Sequence, residues 1–155
     1  MEEVTLRPLT LSDTNIIVRW RNSDAVRLNM YDQRLLTAEQ HRNYYLNQIV
    51  KGKVLQYVIE ADSISVGTIY CRYIDPIIAE LGVFLASEKQ KMGYGSTALN
   101  IFLELIRKTT SIEILRLKVL KTNVRAIRLY SKAGFKVTND QTPQNYISMS
   151  LIVNK

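Results

Sequence analysis

Apolar positions recur with a helical period near the N-terminus, alternate like strands in the middle, and turn helical again before the last third of the chain. Val4 to Leu9 reads as a first strand that Pro8 brings to an end. Leu11-Ser12-Asp13 supplies an N-cap for a helix carrying Ile16, Ile17 and Trp20. Arg21-Asn22-Ser23-Asp24 breaks that helix, and Val26 to Tyr31 reads as a short helical turn or a loop. Thr37-Ala38-Glu39-Gln40 is a capping box, with a hydroxyl at the cap and Gln at the third helical position. The helix it starts carries Tyr44, Tyr45 and Ile49 and stops near Gly52.

From Val54 the period becomes strand-like. Val54 to Glu60, Ile64 to Tyr73 and Ile77 to Leu85 are separated by turns at Ala61-Asp62-Ser63 and Asp75-Pro76, which predicts an antiparallel meander. Residues 98, 99, 101, 102, 103, 105 and 106 are all apolar, so the next helix is buried over a broad face. Ile114 to Leu120 follows as a strand, with Leu115, Leu117 and Val119 on one face and Arg116 and Lys118 on the other. This strand–helix–strand crossover predicts a parallel pair. Asn123 caps a helix containing Val124, Ile127, Leu129 and Tyr130, and Gly134 suits its left-handed C-terminal turn. Phe135 to Val137 and Tyr146 to Val153 read as closing strands. The expected fold is α/β (α+β): a mixed, mostly antiparallel central sheet of about seven strands with helices on both faces, as one domain over residues 1–155.

Composition changes this picture little. The 155 residues suit one core, and no apolar run approaches a membrane span. Met1-Glu2-Glu3 lacks the features of a signal peptide, and the single Cys71 allows no internal disulfide; the expectation is a cytoplasmic protein without membrane contact. The net charge of +7 is spread along the chain rather than gathered in one run, which favours an anionic cofactor or substrate over nucleic acid. No His/Cys/Asp spacing suggests a metal.

The chemistry concentrates at Glu88-Lys89-Gln90-Lys91-Met92-Gly93-Tyr94-Gly95-Ser96, between the last meander strand and the buried helix. Two glycines there let the backbone approach a ligand and leave the first helical amides without partners. Those amides and the positive end of the helix dipole make an anion site. No Gly-Lys-Ser/Thr follows, so this is no P-loop, and the third glycine of a dinucleotide fingerprint is replaced by Ala98.

Gln90-x-x-Gly93-x-Gly95 resembles the pyrophosphate loop of the GNAT acetyltransferases. Asn123-x-x-Ala126-x-x-Leu129-Tyr130-x-Lys132-x-Gly134-Phe135, after a strand, resembles that family's second cofactor motif. Both occur in the family's order, and the likeness runs from about Val4 to Ile152. It implies acetyl-CoA as cofactor, with its pyrophosphate on the amides of Lys91, Met92, Gly93, Tyr94, Gly95 and Ser96. It implies cofactor contacts at Leu85, Gln90, Asn123 and Tyr130, and direct acetyl transfer to a primary amine in a ternary complex. Tyr130 corresponds to the family's acid toward the sulfur, and Glu80 to a general base; an ordinary core tyrosine and a solvated strand carboxylate are the plainer readings.

The first half, with Trp20-Arg21-Asn22, Met30-Tyr31, Thr37-x-x-Gln40-His41 and Tyr44, resembles two subgroups. One acetylates ribosomal-protein N-termini. The other acetylates the amino sugar of pseudaminic acid biosynthesis, and the spacings look closer to it. That likeness implies a nucleotide-linked 4-amino-dideoxy sugar as acceptor, met by Arg21, Asn22, Met30, Tyr31, His41 and Tyr44, with Gln33 to Leu36 as a lid. A non-catalytic CoA-binding or RNA-binding module is the remaining alternative, and the presence of both Tyr130 and Glu80 speaks against it. Cys71 is expected to be a buried inert thiol. The final strand, placed at a sheet edge, would offer a surface for a homodimer.

Overall fold

The computed structural model describes residues 2–90, 92–138 and 143–154. Among them are seven strands: β1 (Val4–Pro8), β2 (Val54–Ala61), β3 (Ile64–Tyr73), β4 (Ile78–Leu85), β5 (Ile114–Leu120), β6 (Lys136–Val137) and β7 (Tyr146–Ile152). They form one sheet in the order β1-β2-β3-β4-β5-β7-β6, antiparallel everywhere except between β4 and β5. The helices are α1 (Thr14–Asn22), α2 (Asp24–Arg27), α3 (Ala38–Tyr44), α4 (Tyr94–Thr109) and α5 (Val124–Lys132). The fold class, the meander and the parallel crossover are as expected from the pattern of apolar positions. No helix among the described residues is long and apolar enough to cross a membrane.

The local signals behave as their chemistry dictates. Thr37 and Gln40 form the reciprocal capping box, with the Gln40 amide donating to the Thr37 hydroxyl oxygen at 3.1 Å and the Thr37 amide to Gln40 Oε1 at 2.9 Å. Asn123 Oδ1 accepts from the Ala126 amide at 3.3 Å, and Gly134 adopts φ +103° after α5. Asp13 differs from expectation. It makes no side-chain cap bond to α1; its carboxylate accepts two bonds from Arg7, at 2.8 and 2.9 Å, and one from the Thr10 amide. Arg7 also reaches Glu60, so the network ties the start of α1 to β1 and β2.

Two further expectations are corrected. The strand expected from Phe135 begins at Lys136, because the Phe135 amide still bonds to Tyr130 O and its ring is buried. The final strand is not at an edge. β7 lies between β5 and β6, where Met149 faces the core, and the sheet edges are β1 and β6.

The main core lies between the sheet and α4, where Leu99, Phe102 and Ile106 pack with Ile59, Ile69 and Leu115. A smaller cluster of Leu9, Ile17, Trp20, Val58 and Ala86 fixes α1 on the opposite face. Cys71 is fully buried, which pushes its thiol pKa up to about 12, so it is an inert core residue. Phe102 is fully buried, with its ring edge-on to Tyr57 at 6.0 Å. Phe102→Ala is expected to lower the unfolding free energy by about 3–5 kcal/mol. A denaturation curve shifted by less than about 1 kcal/mol would contradict the central place of this ring.

Candidate functional site

The ladder between β4 and β5 lasts three residue pairs: Ile78 with Ile114, Ala79 with Leu115 and Glu80 with Arg116. Beyond Glu80 the strands part, and a cavity of about 700 Å³ opens between Leu81–Leu85 of β4 and Lys118–Val119 of β5. The parting strands leave main-chain polar groups along one side of β4 with no ladder partner, a demand that an extended ligand can meet.

The glycine loop stands at one end of this cleft. Gly93 is the N-cap of α4 with φ +81°, a conformation that favours glycine, and a Cβ there would meet nothing within 4 Å. Conformation rather than crowding therefore calls for glycine. The first helical bond runs from the Thr97 amide to Gly93 O at 3.3 Å. Among the described residues the amides of Tyr94, Gly95 and Ser96 have no acceptor, so they suit an anion. Gly95 is buried where α4, α5 and β4 meet, its Cβ position 3.6 Å from Leu129 and 3.7 Å from Leu85. Gln90 ties the loop together, donating to Leu85 O at 3.3 Å and accepting from Arg125 at 3.1 Å.

Of the residues expected at the site, Met30, Tyr31, Glu80, Leu85, Gln90, Gly95, Asn123 and Tyr130 line the cavity. Met92, Gly93 and Ser96 are exposed at its α4 end. Lys91 lies outside the described residues. Tyr94 contributes only its main chain, since its side chain is buried and its hydroxyl donates to Glu2 at 2.5 Å. Glu80 accepts from Arg72 at 3.0 Å. Tyr130 is buried, its ring edge-on to Phe135 at 5.7 Å, and its hydroxyl has no hydrogen-bond partner among the described residues. Burial raises its pKa above the ordinary phenol value, so it carries its proton at neutral pH.

Four expected acceptor residues do not line the cavity. His41 is buried between α1 and α3, with Nδ1 3.3 Å from the Thr14 hydroxyl and Nε2 without a partner among the described residues; burial lowers its pKa. Tyr44 donates to Gln56 at 2.7 Å. Asn22 exchanges two 2.7 Å bonds with the main chain of Leu36. Arg21 is partly buried and donates to the Asp32 carbonyl. Asn22 thus pins Leu36 at the end of the expected lid, Gln33 to Leu36, Arg21 holds Asp32 just before it, and none of these residues lines the cavity. The neighbouring Asn29, Met30 and Tyr31 line it instead, and Tyr31 reaches across the cleft to the Tyr146 ring at 5.0 Å and to Lys118 Nζ at 5.3 Å.

The sequence reading missed Tyr70, Arg72, Lys118 and Arg125, which all line the cavity. Strand alternation was the available signal: Thr68, Tyr70 and Arg72 share a face of β3, and Glu80, Gly82 and Phe84 share the matching face of β4. Tyr70 is partly buried, and burial together with the nearby Glu80 raises its pKa.

Comparison with known proteins agrees with the fold. The family described as acetyltransferase (GNAT) domain matches residues 3–136. Spermidine N-acetyltransferase from Vibrio cholerae, solved with CoA and spermine, is similar at TM-score 0.87 and 20% identity, over 96% of this chain and 95% of that one. The structure of yncA from Salmonella typhimurium with acetyl-CoA gives 0.80 and 18%, over 98% and 95%. The ribosomal L7/L12 α-N-protein acetyltransferase RimL, solved with coenzyme A, gives 0.80 and 16%, over 96% and 93%. With the family match spanning well over half its length, this chain belongs to the GNAT acetyltransferase family.

Proposed function

We propose that this protein transfers the acetyl group of acetyl-CoA to a primary amine carried by an anionic acceptor, a nucleotide-linked 4-amino-dideoxy sugar. The cofactor, when bound, supplies an activated acyl group as a thioester. The residues present fit it: three free amides and Gly93 at the start of α4, Gln90, Arg125 and Asn123 beside them, and the open side of β4 along the cleft. Glu80 takes a proton from the incoming ammonium, directly or through water, and Arg72 fixes the orientation of its carboxylate. Tyr130 holds the proton that a thiolate leaving group requires.

The charge of the cavity wall carries the choice of acceptor. Among the described residues, Arg72, Lys118 and Arg125 face it against one carboxylate, Glu80, which is already paired with Arg72. A polyamine or aminoglycoside would meet a cationic wall; a phosphate-bearing acceptor is attracted by it. Arg125 sits with Gln90 at the phosphate end and Arg72 with Glu80, which leaves Lys118 for the acceptor. Ala25, Val26 and Met30 supply an apolar surface suited to a sugar methyl group.

The test is an acceptor screen with acetyl-CoA that reads free thiol release. A UDP-linked 4-amino-4,6-dideoxyhexose is expected to show kcat/KM at least about tenfold above spermidine or a ribosomal-protein N-terminal peptide, a difference of roughly 1.4 kcal/mol or more. Preference for spermidine would overturn the anionic acceptor, and preference for the peptide would move the protein to N-terminal acetylation.

A further inference from the structure

We propose that Tyr70 contacts the acceptor, its phenolic oxygen accepting a hydrogen bond from the attacking amine and aiming that nitrogen's lone pair at the acyl carbon. The inference rests on the acyl-transfer reading above and adds to it a residue that no motif marks.

The placement of Tyr70 is set by Gly82. The two are direct partners in the β3–β4 ladder, so their side-chain positions share a face. A Cβ added at Gly82 would stand 2.2 Å from Tyr70 Cζ and 2.3 Å from its hydroxyl oxygen. The ring therefore lies across the Gly82 main chain, in the space any other residue would fill. Gly82 does not have the positive φ of Gly52, Gly93 and Gly134, so backbone conformation does not demand glycine there. Room for the Tyr70 ring does.

The neighbours of Tyr70 on this face satisfy one another and leave it open. Tyr44 donates to Gln56 at 2.7 Å, Gln56 to the Thr68 hydroxyl at 3.0 Å, and that hydroxyl to Tyr57 O at 2.8 Å. Gln56 is the ladder partner of Tyr70 on β2 and Thr68 lies two residues away on β3, yet the Tyr70 hydroxyl makes no hydrogen bond among the described residues. It lines the same cavity as Glu80 and Tyr130, on the strand face that carries Glu80. A phenol left unpaired within the protein, in the same cavity as the two groups that handle protons, is free to bind a nitrogen there.

In the reaction the amine nitrogen forms a bond to the acyl carbon and the carbon–sulfur bond breaks. The ammonium gives one proton to Glu80 before attack, Tyr130 gives its proton to the departing thiolate, and the second proton that the nitrogen sheds on becoming an amide restores Tyr130 through water. Tyr70 keeps its own proton throughout; its oxygen only holds the nitrogen in line.

Tyr70→Phe removes the oxygen and keeps the ring. With a UDP-linked 4-amino-4,6-dideoxyhexose and with spermidine as probes, it is expected to lower kcat/KM roughly 10- to 100-fold for whichever amine the wild type accepts. The calorimetric affinity for CoA and the slow amine-independent hydrolysis of acetyl-CoA should stay unchanged, while the heat of amine binding to the CoA complex falls. Gly82→Ala, which displaces the ring, should give a similar loss in the wild type and little further loss in a Tyr70→Ala background. Equal kcat and KM in Tyr70→Phe, with an active wild type, overturns the role of Tyr70 alone. A wild type inactive toward both amines overturns the acyl-transfer reading and this inference with it.

Discussion

Tyr130→Phe is expected to cut kcat by about 10²–10⁴-fold, the range for losing a positioned general acid, while coenzyme affinity stays within about twofold. The substitution is a clean one here. The ring keeps its edge contact with Phe135, and the hydroxyl gives up no hydrogen bond among the described residues, so the unfolding midpoint should not move. Burial raises the phenol pKa, which means that the proton is present through the neutral range and the activity that depends on it persists into alkaline solution. The alkaline limb of the kcat profile should therefore lie above the ordinary tyrosine range, and the limb due to this group should vanish in the variant. An unchanged kcat would remove Tyr130 from proton delivery and leave it as a core residue of α5.

Why Tyr130 was visible in the sequence and Tyr70 was not is a matter of range. Tyr130 lies on a helix whose start and stop, Asn123 and Gly134, are written within a dozen residues, and its motif follows that local frame. The capping box at Thr37 and Gln40 and the glycine turn before α4 are legible for the same reason: each is a bond or a dihedral set by neighbours in the chain. Tyr70 is placed by its register against Gly82, twelve residues away on another strand, and alternation alone fixes the face without fixing the partner.

The acceptor residues failed for a related cause. His41 and Tyr44 carry polar groups at helical spacing, as a pocket wall would, but α3 packs against α1 and turns His41 inward. Asn22 and Arg21 point to the chain itself, holding the segment that follows α2. Asn29, Met30 and Tyr31, beside that pinned segment, line the cavity, while Arg21 and Asn22 hold the main chain behind them. Which polar side chain meets a ligand and which meets the main chain depends on packing between distant segments, and no spacing rule encodes it.

Gly93→Val is expected to raise the dissociation constant for CoA about 10- to 100-fold, as read by calorimetry. Valine at φ +81° is strained by about 1–2 kcal/mol or more, because a β-branched residue tolerates the left-handed region poorly. A Cβ there meets nothing within 4 Å in the free protein, so the strain falls on the backbone. To relieve the strain the turn must rotate, and the amides of Tyr94, Gly95 and Ser96 then leave the common direction that an anion requires. Each 1.4 kcal/mol of lost alignment is tenfold in affinity. Gly52 supplies the control, with φ +74° and equally open surroundings at the end of the π-helical turn Tyr45–Ile49 that continues α3, away from the cavity. Gly52→Val should lower stability by a similar amount and leave coenzyme affinity untouched. If Gly93→Val bound CoA as the wild type does, or if both variants lost it equally, the start of α4 would no longer be the place where this protein holds the coenzyme's phosphates.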